Sequence, residues 1–217
     1  MKLSGEKIVV QIDEYNGCVT DIVNKNDFAM NWVRDNANWG KIDNFKLESV
    51  TKSSDAFSAR YSYEPDKHYF KRKDDISITV EKKLINDIYQ ERYVLTNHTN
   101  SEFFINQETF GIHFPFNSIY HGGKPVCMAH VWAGAEVCWI VAKKIADTKE
   151  RLVIRLTEGS ISDYGIYREI LGAKEDSTNF RGDIVLNPTP CSVSAGESVA
   201  YTFVYDFTNK NEIDYNQ

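Results

Sequence analysis

The sequence lacks the features that mark membrane proteins, nucleic-acid-binding proteins and small disulfide-rich domains. It has no apolar run long enough for a signal peptide or a membrane-spanning helix. Its four cysteines lie far apart and form no Cys-x-x-Cys pair, which is typical of small buried hydrophobic residues in a reducing compartment. The net charge is −6 with both signs mixed along the chain, whereas phosphate binding needs clustered lysine and arginine. The sequence therefore predicts a cytoplasmic protein that binds neither nucleic acid nor a membrane.

Motifs for nucleotide cofactors and for nucleophilic hydrolysis are also missing. The chain has no Gly-x-Ser-x-Gly elbow, no Gly-rich phosphate loop and no Gly-x-Gly-x-x-Gly segment that opens a helix. We therefore expect no bound cofactor. What the 217 residues do offer is a high aromatic content, 13%, and a regular alternation of apolar and polar residues.

The alternation has a period of two, which is typical of β-strands with one buried face. It is clearest in DISITVEKKL (75–84), RLVIRLTEG (151–159) and SVAYTFVYDF (198–207). In the last of these, every second residue from Val199 to Phe207 is large and apolar. The segment EVCWIVA (136–142) is apolar on both faces, which predicts a central strand covered on each side.

Turn residues divide these strands, and helical periodicity is scarce. Asn-Gly at 16–17 predicts a hairpin between two alternating segments, because glycine there supplies the positive φ of a tight turn. Only KKIADTKE (143–150) and REILGAKED (168–176) are predicted to form a helical turn or two. About a dozen short strands without a linker or a repeat indicate one antiparallel sandwich domain over 1–217. Its polar tail is expected from about residue 208.

The order of the segments resembles that of galactose mutarotase-like domains. NGCVTDIVNKNDFAMNW (16–32) resembles their first hairpin and Trp-containing strand, and the segment 89–116 is similar to their Thr-Asn strand followed by a Gly-x-His-x-Pro-Phe strand. The segments 130–144, 152–169 and 177–207 resemble the end of such a domain. The resemblance implies an all-β fold, an antiparallel β-supersandwich. It also implies kinship with the N-terminal domains of (α/α)6-barrel glycoside hydrolases, in which the barrel performs the chemistry.

Aldose 1-epimerases share this fold, and their motifs can be compared with the sequence. Their Leu-His-Gly-Gly loop and Asn-His-x-Tyr-Phe strand resemble YHGG (120–123) and TNHTN (96–100), but the two occur here in the opposite order. GIHFPF (111–116) is the better counterpart of the second motif. The resemblance thus places His113 where the epimerases have their catalytic acid. Their Glu loop has no clear counterpart, and Glu158 and Glu169 are the candidates for the base.

The stretch HGGKPVCMAHVWAG (121–134) raises the question of a metal site. His121, Cys127 and His130 are the possible ligands, without a fourth nearby. In a strand, Cys127 and His130 would point to opposite faces, so we expect no metal there. The glycines after His121 indicate a turn.

The same strand places His130 and Trp132 side by side on one face. An aromatic plane beside polar groups is typical of sugar sites, where it packs under the apolar face of a pyranose ring. The alternative is that Trp132 belongs to the core and that His130 is a hydrogen-bonded internal residue. A similar choice arises for Asn179 and Arg181 in STNFRGDIVLNP (177–188): they could bind sugar hydroxyls, or Arg181 could form a salt bridge with Asp183.

The function that these patterns favour is a carbohydrate-associated accessory domain, which binds a sugar or a sugar-processing partner on one sheet face. The residues predicted for that face are His113, His130, Trp132, Glu158, Asn179 and Arg181. One alternative is a small sugar-processing enzyme, an epimerase or a glycoside hydrolase-like protein, with His113 or His130 as acid and Glu158 as base. A further alternative is a structural module that docks a separate catalytic subunit through an apolar patch.

Overall fold

The computed structural model describes residues 1–64, 75–105, 110–117, 127–134, 136–145, 150–169, 180–189 and 192–209. All regular structure in these ranges is β-strand, and every strand pair is antiparallel. Within them, no helix is long and apolar enough to cross a membrane.

The described part of the chain forms sixteen strands. In chain order they are β1 (Lys2–Ser4), β2 (Ile8–Ile12), β3 (Val19–Asn24), β4 (Phe45–Lys52), β5 (Ala56–Tyr63), β6 (Ile76–Ile85), β7 (Ile88–Asn97), β8 (Phe103–Phe104), β9 (Ile112–Pro115), β10 (Cys127–Gly134), β11 (Val137–Lys144), β12 (Glu150–Glu158), β13 (Ser160–Glu169), β14 (Phe180–Thr189), β15 (Ser192–Val193) and β16 (Ser198–Asn209).

Eight of these strands form one large sheet in the order β10-β11-β12-β16-β7-β6-β5-β4. The remaining strands form a sheet of β1-β2-β3, a sheet of β13-β14-β9 and the pair β15-β8. The inner faces of the large sheet and of both three-stranded sheets contribute to one hydrophobic core. We call the opposite, solvent-facing side of each sheet its outer face. The architecture is a β-sandwich.

The strand pattern confirms most of the sequence prediction. Tyr201, Phe203, Tyr205 and Phe207 are buried on the inner face of β16, and Gly17 has a φ of 75° in the predicted hairpin. The prediction for 136–142 was wrong in part. β11 lies next to the edge strand β10, and the outer face at its start is open, with Val137 56% exposed.

Three predictions fall on segments that the structure does not describe. Helical turns were expected at 143–150 and 168–176, of which 146–149 and 170–176 lie outside the described ranges, as does the tail at 210–217. The described ends of both segments are strand instead, because residues 143–144 belong to β11, Glu150 to β12 and residues 168–169 to β13. β16 continues to Asn209, one residue beyond the expected start of the tail.

Aromatic residues join the two layers of the sandwich. Trp39 is fully buried, and its ring centroid lies 5.2 Å from Phe114 of β9 and 4.8 Å from Phe116. Phe114 in turn contacts Phe203 of the large sheet at 5.4 Å, nearly edge to face. Burial of each such side chain stabilises the fold by about 1.5–3 kcal/mol, and favourable ring geometry adds to this.

A charged pair lies inside this aromatic core. The hairpin between β6 and β7 turns at Asn86 and Asp87, which both have positive φ, and the resulting register places Lys82 opposite Glu91. Both side chains are 0% exposed, and Lys82 Nζ lies 3.2 Å from Glu91 Oε1. Both residues occupy inner-face positions of their strands, where neighbours such as Val80 are apolar.

Three tyrosines complete the coordination of the Glu91 carboxylate. Tyr89 donates to Oε1 at 2.7 Å, and Tyr93 and Tyr205 donate to Oε2 at 2.7 and 2.8 Å. The Trp39 indole N–H donates to the Tyr205 hydroxyl at 3.2 Å. Burial, together with the Glu91 charge, raises the pKa of all three tyrosines well above the usual value, so they stay protonated donors.

We predict that Glu91→Gln destabilises the protein by about 3–5 kcal/mol, because it leaves the Lys82 ammonium buried without a counter-charge. The free energy of unfolding in urea measures the effect. Glu81→Gln is the matched control, since Glu81 lies on the same hairpin with an exposed side chain. A loss below about 1 kcal/mol for Glu91→Gln would show that the buried pair does not hold the core together.

Candidate functional site

The outer face of the sheet β13-β14-β9 carries a group of polar side chains. On β9, Ile112 and Phe114 point into the core, so His113 between them points outward. Asp183 and Asn187 of β14 occupy outward positions by the same alternation, because Ile184 and Leu186 are core residues.

A short segment beside β9 adds another acid. The amide of Gly40 donates to His113 O at 2.8 Å, the amide of His113 donates to Lys41 O at 3.0 Å, and the amide of Asp43 donates to Gly111 O at 3.3 Å. Residues 40–43 therefore run along the free edge of β9, and Asp43 shares its outer face with His113. We call His113, Asp43, Asp183 and Asn187 the His113 cluster.

His113 is held between two carboxylates. Its Nδ1 lies 3.0 Å from Asp183 Oδ2, and its Nε2 lies 2.7 Å from Asp43 Oδ2. The His113 side chain is 12% exposed, while Asp43 and Asp183 are 36% and 19% exposed. A ring with a carboxylate on each nitrogen donates from both, which is the arrangement of an imidazolium.

The pKa values agree with this assignment. Burial lowers the pKa of His113, but the hydrogen bonds to Asp183 and Asp43 and their negative charges outweigh it and raise the pKa to about 9. Burial raises the pKa of Asp43, but the His113 hydrogen bond and the charges of His113 and Lys41 outweigh it and hold that pKa below its usual value. Lys41 Nζ lies 3.5 Å from Asp43 Oδ1. At neutral pH the site therefore contains a cation between two anions.

The rest of the cluster is closely packed and partly unsatisfied. Asn187 Nδ2 donates to Asp163 Oδ1 on the neighbouring strand β13. Asp183 Oδ1 and Asn187 Oδ1 are buried and have no hydrogen-bond partner among the described residues. Each buried acceptor without a partner costs about 1–3 kcal/mol, so these two oxygens lower the free energy of unfolding.

Two glycines allow the Asp43 segment to approach. A Cβ on Gly111 would lie 2.7 Å from Val185 Cγ1 and 3.3 Å from Asp43 Oδ2. Gly40 has a φ of 77°, and a Cβ there would lie 2.8 Å from the Tyr93 hydroxyl and 3.0 Å from Lys82 Nζ. The segment that carries Asp43 therefore starts directly on the buried Glu91 network, which fixes its position.

The other predicted residues lie elsewhere in the fold. Glu158 lies on the outer face of the large sheet, where Arg92 donates to it with two hydrogen bonds of 2.9 and 3.1 Å, and Thr202 Oγ1 donates at 2.6 Å. These contacts lower the pKa of Glu158. His130 and Trp132 lie on the same outer face, on the edge strand β10. The core separates all three from His113, so the structure does not bring His113 and Glu158 together.

The remaining predictions concern Asn179, Arg181 and the possible metal ligands. Asn179 lies outside the described residues, and Arg181 is described only as part of the β14 backbone. Cys127 points into the core while His130 is exposed, as the alternation predicts, and His121 is outside the described residues. Among the residues that are described, no group of three or more His, Cys, Asp or Glu side chains could hold a metal ion.

Sequence reasoning missed Asp43 and Asn187. Asp163 and Asn187 follow from strand alternation once β13 and β14 are paired, but the pairing itself contains a bulge between Ile161 and Asp163. Asp43 lies in an irregular segment with no periodicity, 70 residues before His113.

We predict that His113 makes stability depend on pH between about 6.5 and 9. Its pKa is raised in the folded state. The contribution of His113 to the free energy of unfolding is therefore complete below pH 6.5, where the histidine is protonated in both the folded and the unfolded state. It is lost as the pH rises through 9. The full contribution is about 3 kcal/mol. It is measured by urea unfolding of the wild type and His113→Gln over this range, and the difference between them should shrink as the pH rises.

His130→Gln is the control, because His130 is exposed on another sheet. The difference in the free energy of unfolding between the wild type and His130→Gln should not shrink by more than a few tenths of a kcal/mol as the pH rises. A constant difference for His113→Gln across the range would show that the histidine is not held as an imidazolium.

Comparisons with known proteins bear on the fold. No family model and no curated protein matches the sequence. A solved polysaccharide lyase superposes on 97% of this chain with a TM-score of 0.68 and 22% identity. The match covers 34% of the lyase, so the present chain spans about a third of its length.

Two smaller proteins match over nearly their whole length. A putative aldose 1-epimerase from Escherichia coli K12 superposes on 96% of this chain and 98% of its own, with a TM-score of 0.60 and 10% identity. A galactose mutarotase-like protein from Lactobacillus casei superposes on 95% of this chain over 99% of its own length, with a TM-score of 0.58 and 13% identity. At these identities the likeness concerns the fold, and the fold of this chain is that of the galactose mutarotase-like β-supersandwiches.

Proposed function

We propose that this protein is a carbohydrate-binding accessory domain and that the His113 cluster holds the sugar. Its fold is shared with proteins named as an aldose epimerase, a mutarotase-like protein and a polysaccharide lyase, which supports a carbohydrate as the ligand class. The observation that carries the choice of site is the imidazolium of His113 between Asp43 and Asp183, at a partly exposed position of the sheet. The predicted location of the protein remains the cytoplasm.

The cluster suits the chemistry of sugar hydroxyls. A hydroxyl both donates and accepts a hydrogen bond, and charged partners bind it more strongly than neutral ones. The half-exposed Asp43 carboxylate can accept from a hydroxyl, and Lys41 beside it can donate. Because His113 already fixes both carboxylates, ligand binding orders few additional side chains, which favours affinity.

A second candidate is catalysis of sugar-ring opening by the same cluster. With a pKa of about 9, His113 carries a proton at neutral pH, and Asp43 is an anion 2.7 Å from it. Mutarotation needs a group that donates a proton to the ring oxygen and one that removes a proton from the anomeric hydroxyl. Glu158, expected from the sequence to be the base, lies on the other sheet and is bound to Arg92, so Asp43 takes this role in the proposal. Since both N–H groups of His113 are bound to carboxylates, the sugar has to displace Asp43 from Nε2, which then donates to the ring oxygen while Asp43 accepts the anomeric proton.

We predict that a sugar stabilises the wild type through the His113 cluster. At 100 times its Kd a ligand adds about 2.7 kcal/mol, which raises the Tm of a chain of this length by roughly 5–10 °C. Thermal unfolding against a panel of monosaccharides and oligosaccharides measures it. Asp43→Asn should abolish most of the shift, whereas Asp55→Asn, a control at an exposed turn, should retain it.

Two outcomes would contradict this prediction. An equal shift in the wild type and Asp43→Asn would place the ligand elsewhere. A flat panel well above millimolar sugar would contradict binding and favour the module that docks a separate catalytic subunit.

We predict for the second candidate that the wild type speeds mutarotation of freshly dissolved glucose or galactose, followed by polarimetry, and that His113→Gln loses this activity by about 100-fold or more. His130→Gln should keep it. A wild type without activity would leave binding as the sole role of the cluster.

A further inference from the structure

The outer face of the large sheet carries an aromatic surface at its β10 edge. Trp132 of β10 and Trp139 of β11 are directly opposite in the register, so their indoles are neighbours on one face. The His130 ring is stacked on Trp132, with 6.3 Å between centroids and 30° between planes. Trp132 is 53% exposed, which is high for the largest apolar side chain. We call His130, Trp132 and Trp139 the aromatic strip.

Basic side chains of β11 and β12 line the strip. Arg155 of β12 pairs with Trp139 in the register, and its guanidinium carbon lies 5.7 Å from the centroid of that ring. Lys143 and Arg151 are paired further along the same face. These three cations make no ion pair with a described residue, and Arg151 Nε is buried without a hydrogen-bond partner among them.

Few acids balance this charge. Glu158 on the same face is already bound by Arg92. Asp206 of β16 is opposite Val153 in the register, so it lies one strand away from the two arginines. Among the described residues of β10, β11, β12 and β16, the charge beside the strip is therefore positive on balance, although the whole chain has a net charge of −6.

We propose that the aromatic strip binds an acidic oligosaccharide, whose sugar rings pack on Trp132 and Trp139 while its carboxylate or sulfate groups pair with Arg155, Arg151 and Lys143. Indole faces favour the apolar face of a pyranose, and guanidinium groups bind planar oxyanions with two hydrogen bonds. The inference shares its ligand class with the proposed function, but it uses a surface on the opposite side of the core from the His113 cluster.

The chemistry of the strip argues against a neutral sugar as its preferred ligand. A neutral glycan would use the indoles but leave the excess of positive charge unpaired, since Asp206 faces three cations, whereas an acidic one would satisfy both. Part of the affinity then comes from charge attraction, which salt weakens.

Affinity electrophoresis tests this inference. The gels contain polygalacturonate, alginate or hyaluronan as acidic polymers and dextran as the neutral one. We expect at least one acidic polymer to retard the wild type, dextran to have no comparable effect, and the retardation to fall as salt is added. Trp132→Ala should weaken apparent affinity about tenfold, in keeping with the loss of one stacked ring. Arg155→Gln should lose most of the preference for the acidic polymer.

Two control variants make the result specific. Phe104→Ala removes an exposed aromatic ring from another sheet and should migrate as the wild type does. Asp43→Asn disrupts the His113 cluster and should also leave retardation unchanged, so failure of that cluster and failure of the strip are told apart. Thermal unfolding of each variant without polymer confirms that the fold is kept.

Several results would overturn the inference. They are a wild type that no acidic polymer retards, equal retardation by dextran, unchanged affinity in Trp132→Ala, and loss of retardation in Asp43→Asn alone. The last result would assign acidic-sugar binding to the His113 cluster.

Discussion

The buried contact of Glu91 with Lys82 and three tyrosines is the interaction on which the other features depend. It joins β6, β7 and β16 within the large sheet, and through Tyr205 it reaches Trp39 in the facing layer. Trp39 packs on Phe114, the neighbour of His113. A carboxylate taken from water needs all of these donors, because an unpaired charge in the core is far more costly than the pair.

This network also determines where the site forms. Gly40 packs against Lys82 and Tyr93, and three residues later the same segment carries Asp43. Asp43 reaches His113 because residues 40–43 run along β9 from that fixed point. The polar site on the outside is thus positioned by a polar network on the inside, with β9 between them. A loosened core should move the two carboxylates apart and lower the pKa of His113 toward its usual value.

The sequence predicted strand faces well and the assembly of the site less well. Outward placement of His113 follows from Ile112 and Phe114, and outward placement of Trp132 follows in the same way. The Lys82–Glu91 pair could also have been predicted from the sequence. The two residues have opposite charges, occupy positions where the alternation calls for apolar side chains, and lie at equal distances from the Asn86-Asp87 turn. Alternation does not show to which sheet a strand belongs. The sequence therefore could not reveal that Glu158 and His113 lie on different sheets. Asp43 has no periodic context, so only the three-dimensional pairing with β9 reveals it.

The most direct test of the proposed site is NMR of the histidine rings during titration with the sugar that stabilises the protein most. The imidazole resonances of His113 should shift and saturate at the Kd found from unfolding. The ring of His98, which lies outside both the His113 cluster and the aromatic strip, should stay unchanged. Stabilisation by the sugar without any change at His113 would contradict the assignment of the His113 cluster as the carbohydrate site.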